Sequence, residues 1–337
     1  MRSVSSPRRR PLLLVSLLLA GTLAGSAHAQ STASHPGQAE LVNEVARDTG
    51  KSPAALNALL DGAQLKQSIL DAISRPAEAK PWKDYRPIFM TDQRIGEGVA
   101  FYRGHRALLE QIGRQYGVAP EYIVAILGVE TFYGRNTGKY KVLDALVTLG
   151  LYYPPRAPFF REQLKALLEL PDNHLAGPLD TLTGSYAGAQ GWGQFMPTSI
   201  RDFAVDADGD GHIDLQRSLP DILASVANYF AQHGWVRGGP VAARAQPDAA
   251  PKPVVVKDAK PQWPLEQLEA WGYAPLQAIA PDQPTSLQTL QGPNGPEYWF
   301  TFDNFYVITR YNRSPLYALA VHQLAQAIAA GAAEPVQ

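Results

Sequence analysis

Glu130 shares the apolar stripe of a helix read over residues 119–134, and that placement gives it chemistry. Pro120 suits the first helical turn, where its missing N–H costs nothing. Ile123, Ile126, Leu127 and Glu130 then fall at i, i+3, i+4 and i+7, so the acid lies on the buried face. Burial disfavours the charged carboxylate and raises its pKa. A carboxylic acid that keeps its proton near neutral pH can act as the general acid in glycosidic-bond cleavage. The competing reading is structural: a buried glutamate paired with an arginine, or one capping a neighbouring helix.

Three further constellations stand out. Asp206, Asp208, Asp210, Gly211, His212 and Asp214 follow an EF-hand calcium loop. Acids sit at positions 1, 3 and 5, Gly at 6, the His212 carbonyl at 7, the apolar Ile213 at 8 and Asp214 at 9. Position 12 should be a bidentate Glu and is Arg217. Asp221 either curls back as a ligand or caps the following helix. The expected Ca²⁺ is structural, since one hand lacks the paired partner of a sensor. The segment 184–197 packs four glycines around Gln190, Trp192 and Gln194, which allows close backbone approach. The amide of Gln194 suits hydroxyl and amide groups on a sugar. No Gly-Lys-Ser/Thr is present, so this is not a nucleotide loop. Residues 310–317 open the final helix with polar and aromatic side chains.

The elements that must position these groups are mostly helical. Short helices are expected over 40–74, with Ser52 as N-cap and Pro53 at N1. One long helix is expected over 92–116, closed by Gly117. Others are expected over 141–151, 159–170, 218–233 and 315–329. Residues 30–39 read as a loose terminal segment. Residues 238–264 are rich in Pro, Ala and Gly, with 254–256 as a lone strand candidate. Residues 298–302 and 305–309 read as two strands joined at Asp303-Asn304. The expected division is a helical part over 40–237 containing the calcium loop at 206–217, a linker and small β part over 238–303, and a return to the core over 304–337. No internal repeat is present.

Composition excludes several classes. A net charge of −1 gives no bulk attraction to nucleic acid or anionic membrane. The chain has no cysteine, which excludes disulfides, thiol catalysis, thiolate metal sites and lipidation at an N-terminal Cys. It carries 15 Tyr and 6 Trp, rings useful against sugar faces and equally usual in cores. Arg8 to Arg10, the apolar run 12–23 and Ala27-His28-Ala29 form the three parts of a secretory signal over 1–29. An uncleaved anchor is the alternative, and the apolar run is short for a span.

Taken together these segments resemble the lytic murein transglycosylase B family. The resemblance rests on Val129-Glu130-Thr131 with Tyr133-Gly134, residues 144–149, Phe159-Phe160-Arg161, residues 185–189, Gly193-Gln194-Phe195-Met196-Pro197, the calcium loop, residues 225–230 with His233-Gly234-Trp235, and residues 304–308 with Arg310-Tyr311-Asn312. It runs from about residue 40 to about residue 330 in the family's order. It implies a mainly α (α+β) protein with a lysozyme-like helical core, an additional helical domain, an EF-hand-like loop and a small β domain. It implies Glu130 as the single catalytic acid and base, cutting the bond between N-acetylmuramic acid and N-acetylglucosamine and leaving a 1,6-anhydro end. Tyr85, Arg156, Ser185, Gln194, Tyr229, Tyr311, Asn312 and Tyr317 match its sugar-binding groove. The expected metal set is Asp206, Asp208, Asp210, His212, Asp214 and Asp221. The expected partners are peptidoglycan glycan strands and other cell-wall enzymes, with no nucleic acid and no stable membrane anchor, in a soluble periplasmic form. Departures from the family are Pro155 in an Arg-Arg pair, Gln190 and Trp192 in place of Met and Tyr, and Arg217 in the loop. The alternatives are a hydrolytic muramidase on the same fold and a non-catalytic, calcium-stabilised peptidoglycan-binding protein.

Overall fold

The computed structural model describes residues 34–74 and 80–334, so the signal segment expected over 1–29 lies outside the described residues. The chain opens with α1 (Gln38–Thr49), α2 (Pro53–Asp61) and α3 (Gln67–Ile73). Next come α4 (Trp82–Phe89), α5 (Asp92–Gly104), α6 (Arg106–Tyr116) and α7 (Pro120–Thr131). A short ladder, β1 (Tyr140–Lys141) with β2 (Thr183–Gly184), brackets α8 (Val142–Tyr152) and α9 (Ala157–Glu169). The helices α10 (Pro197–Phe203) and α11 (Leu219–Gln232) flank the acidic loop. A sheet region then holds β3 (Ala242–Pro247), β4 (Trp263–Pro264), α12 (Leu265–Glu269), β5 (Tyr273–Pro275), β6 (Pro284–Gly292) and β7 (Gly295–Thr301). The chain returns through α13 (Asp303–Tyr311) to α14 (Pro315–Ala333).

The central layer is α7. Residues 122–129 are all buried, so this helix is apolar on every side and survives only inside a core. The final helix, α14, is equally apolar and packs against α7 and α5. Its length and hydropathy would allow a membrane span, but its residues are mostly committed to this packing. Around them, α1, α2, α8 and α9 form a second helical group. Asp144 on α8 accepts from Gln64 N at 2.9 Å and Thr148 Oγ1 accepts from Lys66 N at 3.0 Å, so the α2–α3 turn is pinned to α8.

The sheet has strand order β4-β6-β7-β3-β5, antiparallel throughout. Its hairpin pairs Ser286 with Thr301 and Gly292 with Gly295, and Gly295 takes φ 118°, a conformation that suits glycine. One face carries its own small core of Leu265, Leu268, Tyr273, Leu287, Phe300 and Phe302.

Several expectations change. The helix expected over 92–116 breaks at His105, whose φ −120° and ψ 20° leave the helical region after Gly104. The second expected strand, 305–309, is the helix α13. Its β-branched and aromatic content favours a strand locally, yet Asn304, Phe305, Ile308 and Thr309 are buried at helical spacing, and packing decides. Asn304 also accepts from Val236 N at 2.7 Å and donates to Val236 O and Gly239 O, fixing where α13 starts. Residues 254–256 pair with no strand among the described residues, whereas 284–292 form the longest strand. The described part of the expected loose segment is tied down. His35 Nδ1 lies 2.7 Å from Tyr152 Oη and Nε2 lies 3.0 Å from Leu60 O.

Candidate active site

Glu130 lies in the last turn of α7, and that turn is built to be held. Phe132 and Tyr133 both adopt left-handed backbone, φ 53° and 58°, and Gln194 does so at φ 50°. Such conformations are unfavourable for residues with a side chain and persist where surrounding bonds fix them. Here Tyr133 N donates to Leu127 O at 2.9 Å and Asn136 N to Thr131 O at 2.9 Å. The Thr131 hydroxyl donates to Trp192 O at 2.9 Å and accepts from Gly134 N at 3.0 Å, so the Glu130 turn and the glycine-rich loop move as one. A Cβ on Gly134 would stand 2.2 Å from the Trp192 ring, which leaves glycine as the residue that fits. Tyr133 folds back beneath α7, its hydroxyl donating to Arg94 O at 2.8 Å.

Glu130 is partly exposed as a residue, while its carboxyl is desolvated in largely apolar surroundings. Burial pushes its pKa up to about 7, and one hydrogen bond from Tyr317 opposes that shift. The Tyr317 hydroxyl donates to Glu130 Oε1 at 2.6 Å. Burial, with the Glu130 charge second, holds the Tyr317 phenol well above its ordinary range, so it stays a donor. Tyr85, on α4, also acts electrostatically on Tyr317 and packs its ring 5.2 Å from Phe89. Among the described residues no Asp or Glu, and no Arg or Lys, contributes to the shift at Glu130. The ion-paired alternative raised by the sequence is therefore absent here.

The other aromatic residues expected at the site gather around the same loop. Tyr311 donates to Gly193 O at 2.5 Å, and its pKa is raised by burial and then by the Glu130 charge. Tyr229 donates to Arg310 O at 2.6 Å, and its ring lies 4.7 Å from that of Tyr311. The amide of Gln194 donates to Gly191 O at 2.9 Å and Thr137 O at 3.2 Å, and its Oε1 accepts no hydrogen bond among the described residues. Ser185 Oγ accepts from Ala187 N and Ala189 N, bracing the start of the loop. Asn312 Oδ1 accepts from Ser314 N at 3.0 Å, and Ser314 caps α14. Among the described residues Arg156 makes no hydrogen bond to this cluster. It is exposed between α8 and α9, with its guanidinium 4.9 Å and 5.0 Å from the rings of Phe159 and Phe160. Sequence reasoning missed Thr131 as a functional residue. Its adjacency to Glu130 was visible, but its bond to Trp192 was not.

In the acidic loop, one carboxylate oxygen each from Asp206, Asp208 and Asp210 converges within 4.8 Å. That donor set of hard oxygens fits Ca²⁺. The loop is pre-shaped, since Asp206 accepts from Gly209 N at 2.7 Å and Gly211 N at 2.9 Å. Asp221 and Asp214, the other carboxylates of the expected ligand set, accept backbone hydrogen bonds. Asp221 is buried, and its two oxygens accept from Ala207 N at 2.8 Å and Asp214 N at 2.9 Å. It clasps the two ends of the loop, while its N–H caps on Ser218 Oγ at 3.4 Å. Asp214 accepts from Gln216 N, Arg217 N and the Arg217 guanidinium. The His212 side chain is exposed, and its backbone N–H donates to Asp210 Oδ1 at 2.8 Å.

Comparison with known proteins gives the family and the fold. Residues 34–326 match the family model described as the transglycosylase SLT domain. The chain is 40% identical over 307 residues to the membrane-bound lytic murein transglycosylase B of Escherichia coli K12, covering 88% of this chain and 84% of that protein. It superposes on the crystal structure of the soluble lytic transglycosylase SltB1 of Pseudomonas aeruginosa with a TM-score of 0.81 at 50% identity, over 88% of this chain and 99% of that one. The Escherichia coli lytic transglycosylase Slt35, solved in complex with calcium, gives a TM-score of 0.81 at 38% identity, over 90% and 96% of the two chains.

Proposed function

This chain belongs to the transglycosylase SLT domain family, and from that premise we propose how its residues act on peptidoglycan. It is a lytic murein transglycosylase. The observation that carries the mechanism is a desolvated Glu130 whose pKa is raised to about 7 and whose carboxyl has, among the described residues, one side-chain hydrogen-bonding partner, the Tyr317 hydroxyl. In its protonated form Glu130 delivers a proton to the oxygen between N-acetylmuramic acid and N-acetylglucosamine. The C1–O bond breaks, and the muramic N-acetyl group supports the oxocarbenium-like centre, as in substrate-assisted glycosidases. The Glu130 carboxylate then takes the proton from the C6 hydroxyl, whose oxygen closes on C1. A 1,6-anhydromuramic end forms, Glu130 regains its proton and no water is consumed.

Tyr317 supports both halves of this cycle. Its hydrogen bond is stronger to the carboxylate than to the acid, which keeps the ionised intermediate state accessible in an apolar setting. Tyr311 and Tyr229 carry the glycine-rich loop, and Gln194 Oε1 offers an acceptor for an N-acetyl N–H of the sugar. Tyr85, Ser185 and Asn312 complete the proposed sugar-contacting set, with Arg156 at its edge. Asp206, Asp208 and Asp210 would hold a structural Ca²⁺, which would supply fixed positive charge and rigidity beside the loop. The signal-like residues 1–29 and the chain's lack of cysteine favour a soluble periplasmic form.

Mass spectrometry of fragments released from murein sacculi tests the reaction. Products one water lighter than those of a muramidase, absent with Glu130→Gln, are expected. Hydrated reducing ends would instead make the chain a hydrolase on the same fold. A binding protein would retain sacculi and release nothing.

A further inference from the structure

A cavity of about 450 Å³ opens beside the Glu130 turn, away from the tyrosine cluster. Its size falls within the range of small-ligand pockets, roughly 300–1,000 Å³. Gly134, Thr137 and Trp192 form one wall, residues 176–178 and Thr181 to Thr183 another, and Gln216 with Arg217 a third. The lining offers threonine hydroxyls, an amide, a guanidinium, backbone groups and an indole, and no carboxylate. Its one charged member is Arg217, whose side chain is 75% exposed. Arg217 Nη1 is tethered to Ala176 O at 3.0 Å and Asp214 Oδ2 at 3.4 Å, while Nε and Nη2 make no protein bond among the described residues. A tethered guanidinium with free donors over a hydroxyl-lined pocket recognises a carboxylate.

This cavity is joined to the reaction centre by covalent and hydrogen-bonded links. Gly134 and Thr137 follow Glu130 directly in the chain. The Thr137 carbonyl accepts from Gln194 Nε2 at 3.2 Å, and the Trp192 carbonyl accepts from Thr131 Oγ1 at 2.9 Å. The cavity therefore borders the turn that follows Glu130 and the loop that carries Gln194, on the side where the acidic loop ends.

We infer that this cavity is a subsite for the carboxylate-bearing peptide stem of the peptidoglycan strand, with Arg217 as its anchor. The inference rests on the transglycosylase reading. A stem carries both amide groups for Thr137, Thr181, Thr183 and Gln216 and a carboxylate for Arg217, whereas a bare sugar offers no anion. The residue that departs from a calcium-loop glutamate thus has a task of its own. It determines which strands are cut well, while Glu130 determines that they are cut.

Two variants separate this role from loop stability. Arg217→Ala removes the anchor. Gly177→Phe fills the cavity without strain, because a Cβ at Gly177 meets nothing within 4 Å and its φ is not left-handed. Each is assayed in the whole protein on stem-bearing glycan strands and on strands whose stems an amidase has removed. Both variants are expected to lose about tenfold in kcat/KM on stem-bearing strands, equivalent to about 1.4 kcal/mol, and to match the unaltered protein on stripped strands. Arg217→Lys should recover part of the loss. Equal losses on both substrates, or none on either, would overturn the subsite. Calorimetry with N-acetylmuramoyl tripeptide tests binding apart from turnover. Binding that is lost in both variants supports the inference even if the protein releases no anhydro products, an outcome that would sink the transglycosylase reading alone. Binding of N-acetylglucosamine oligomers that these variants abolish would assign the cavity to sugar and overturn the inference.

Discussion

The hydroxyl of Tyr317, at the start of α14, donates to Oε1 of Glu130, at the end of α7, at 2.6 Å across 187 positions of sequence. Two packed helices thus bring one donor to one acid, and among the described residues that acid has no charged partner. The pairing tunes the proton affinity of Glu130 between two opposed effects. Burial raises it and Tyr317 lowers it, with burial winning.

The first prediction concerns pH and rate. Glu130 must begin each cycle protonated, so activity should fall as pH rises through about 7. Tyr317→Phe removes the bond that favours the carboxylate, so its Glu130 should ionise at higher pH. The basic limb of the kcat/KM profile is expected to move upward while kcat drops about tenfold, since the ionised state loses a charge-assisted hydrogen bond. A limb that stays in place would show that the phenol does not act through the Glu130 proton.

The second prediction concerns stability. Glu130 has an ordinary pKa of 4.5 and is raised in the fold to about 7. Between those values the folded chain keeps a proton that the unfolded chain has lost. Stability attributable to this group therefore falls as pH rises across that window, by up to about 3 kcal/mol, and the full cost is present above it. Glu130→Gln carries no such cost. Its amide oxygen can still accept from Tyr317, so the fold should persist. Urea unfolding should show the variant more stable than the parent at pH 8, with the gap closing below pH 4.5. A gap independent of pH would mean that Glu130 titrates normally.

Glu130 was legible in the sequence because its evidence is local. Helical spacing and apolar neighbours lie within twelve residues, and the same holds for the three convergent aspartates. The partner of Glu130 was not legible from periodicity, since Tyr317, like Tyr85 that acts on it, arrives from a distant helix and entered only through family resemblance. Where local preference and packing disagreed, the sequence misled. Phe305, Tyr306, Val307 and Ile308 favour a strand by residue type, yet the bonds of Asn304 to Val236 and Gly239 and the packing against α14 make them a helix. Asp221 shows the same limit, because helix capping and metal ligation ask for the same residue, whereas Ser218 is the N-cap of α11 and the two Asp221 oxygens accept from Ala207 N and Asp214 N.

The third prediction follows from the close approach of Tyr311 and Gly193. A Cβ on Gly193 would stand 2.8 Å from the Tyr311 hydroxyl, the atom that donates to Gly193 O at 2.5 Å. Gly193→Ala should displace the ring or the loop, and with it Gln194, whose left-handed backbone leaves little slack. Tyr311→Phe removes the bond and leaves the space. We expect KM to rise several-fold in both, with a larger loss of kcat in Gly193→Ala because the neighbouring Trp192 carbonyl also holds Thr131. The two variants are compared by steady-state kinetics on one soluble glycan substrate. Unchanged KM in both would remove this loop from substrate binding.

The fourth prediction concerns calcium. The oxygens of Asp206, Asp208 and Asp210 lie within 4.8 Å of one another and repel until a cation joins them. A cation that binds only the folded chain stabilises it by mass action, so excess Ca²⁺ should raise Tm by several degrees over chelated protein. Mg²⁺ should do less, because it demands a smaller octahedral shell and gives up its waters reluctantly. Asp210→Asn keeps an acceptor for His212 N, which now bonds at 2.8 Å, and removes one charge. It should abolish most of the calcium shift with little change in Tm under chelator. Asp221→Asn is the informative contrast. Its two oxygens serve Ala207 N and Asp214 N, and an amide retains one acceptor of the two, so Tm should fall by a similar amount with and without calcium. A variant that lost only the calcium-dependent part of its stability would return Asp221 to the ligand set.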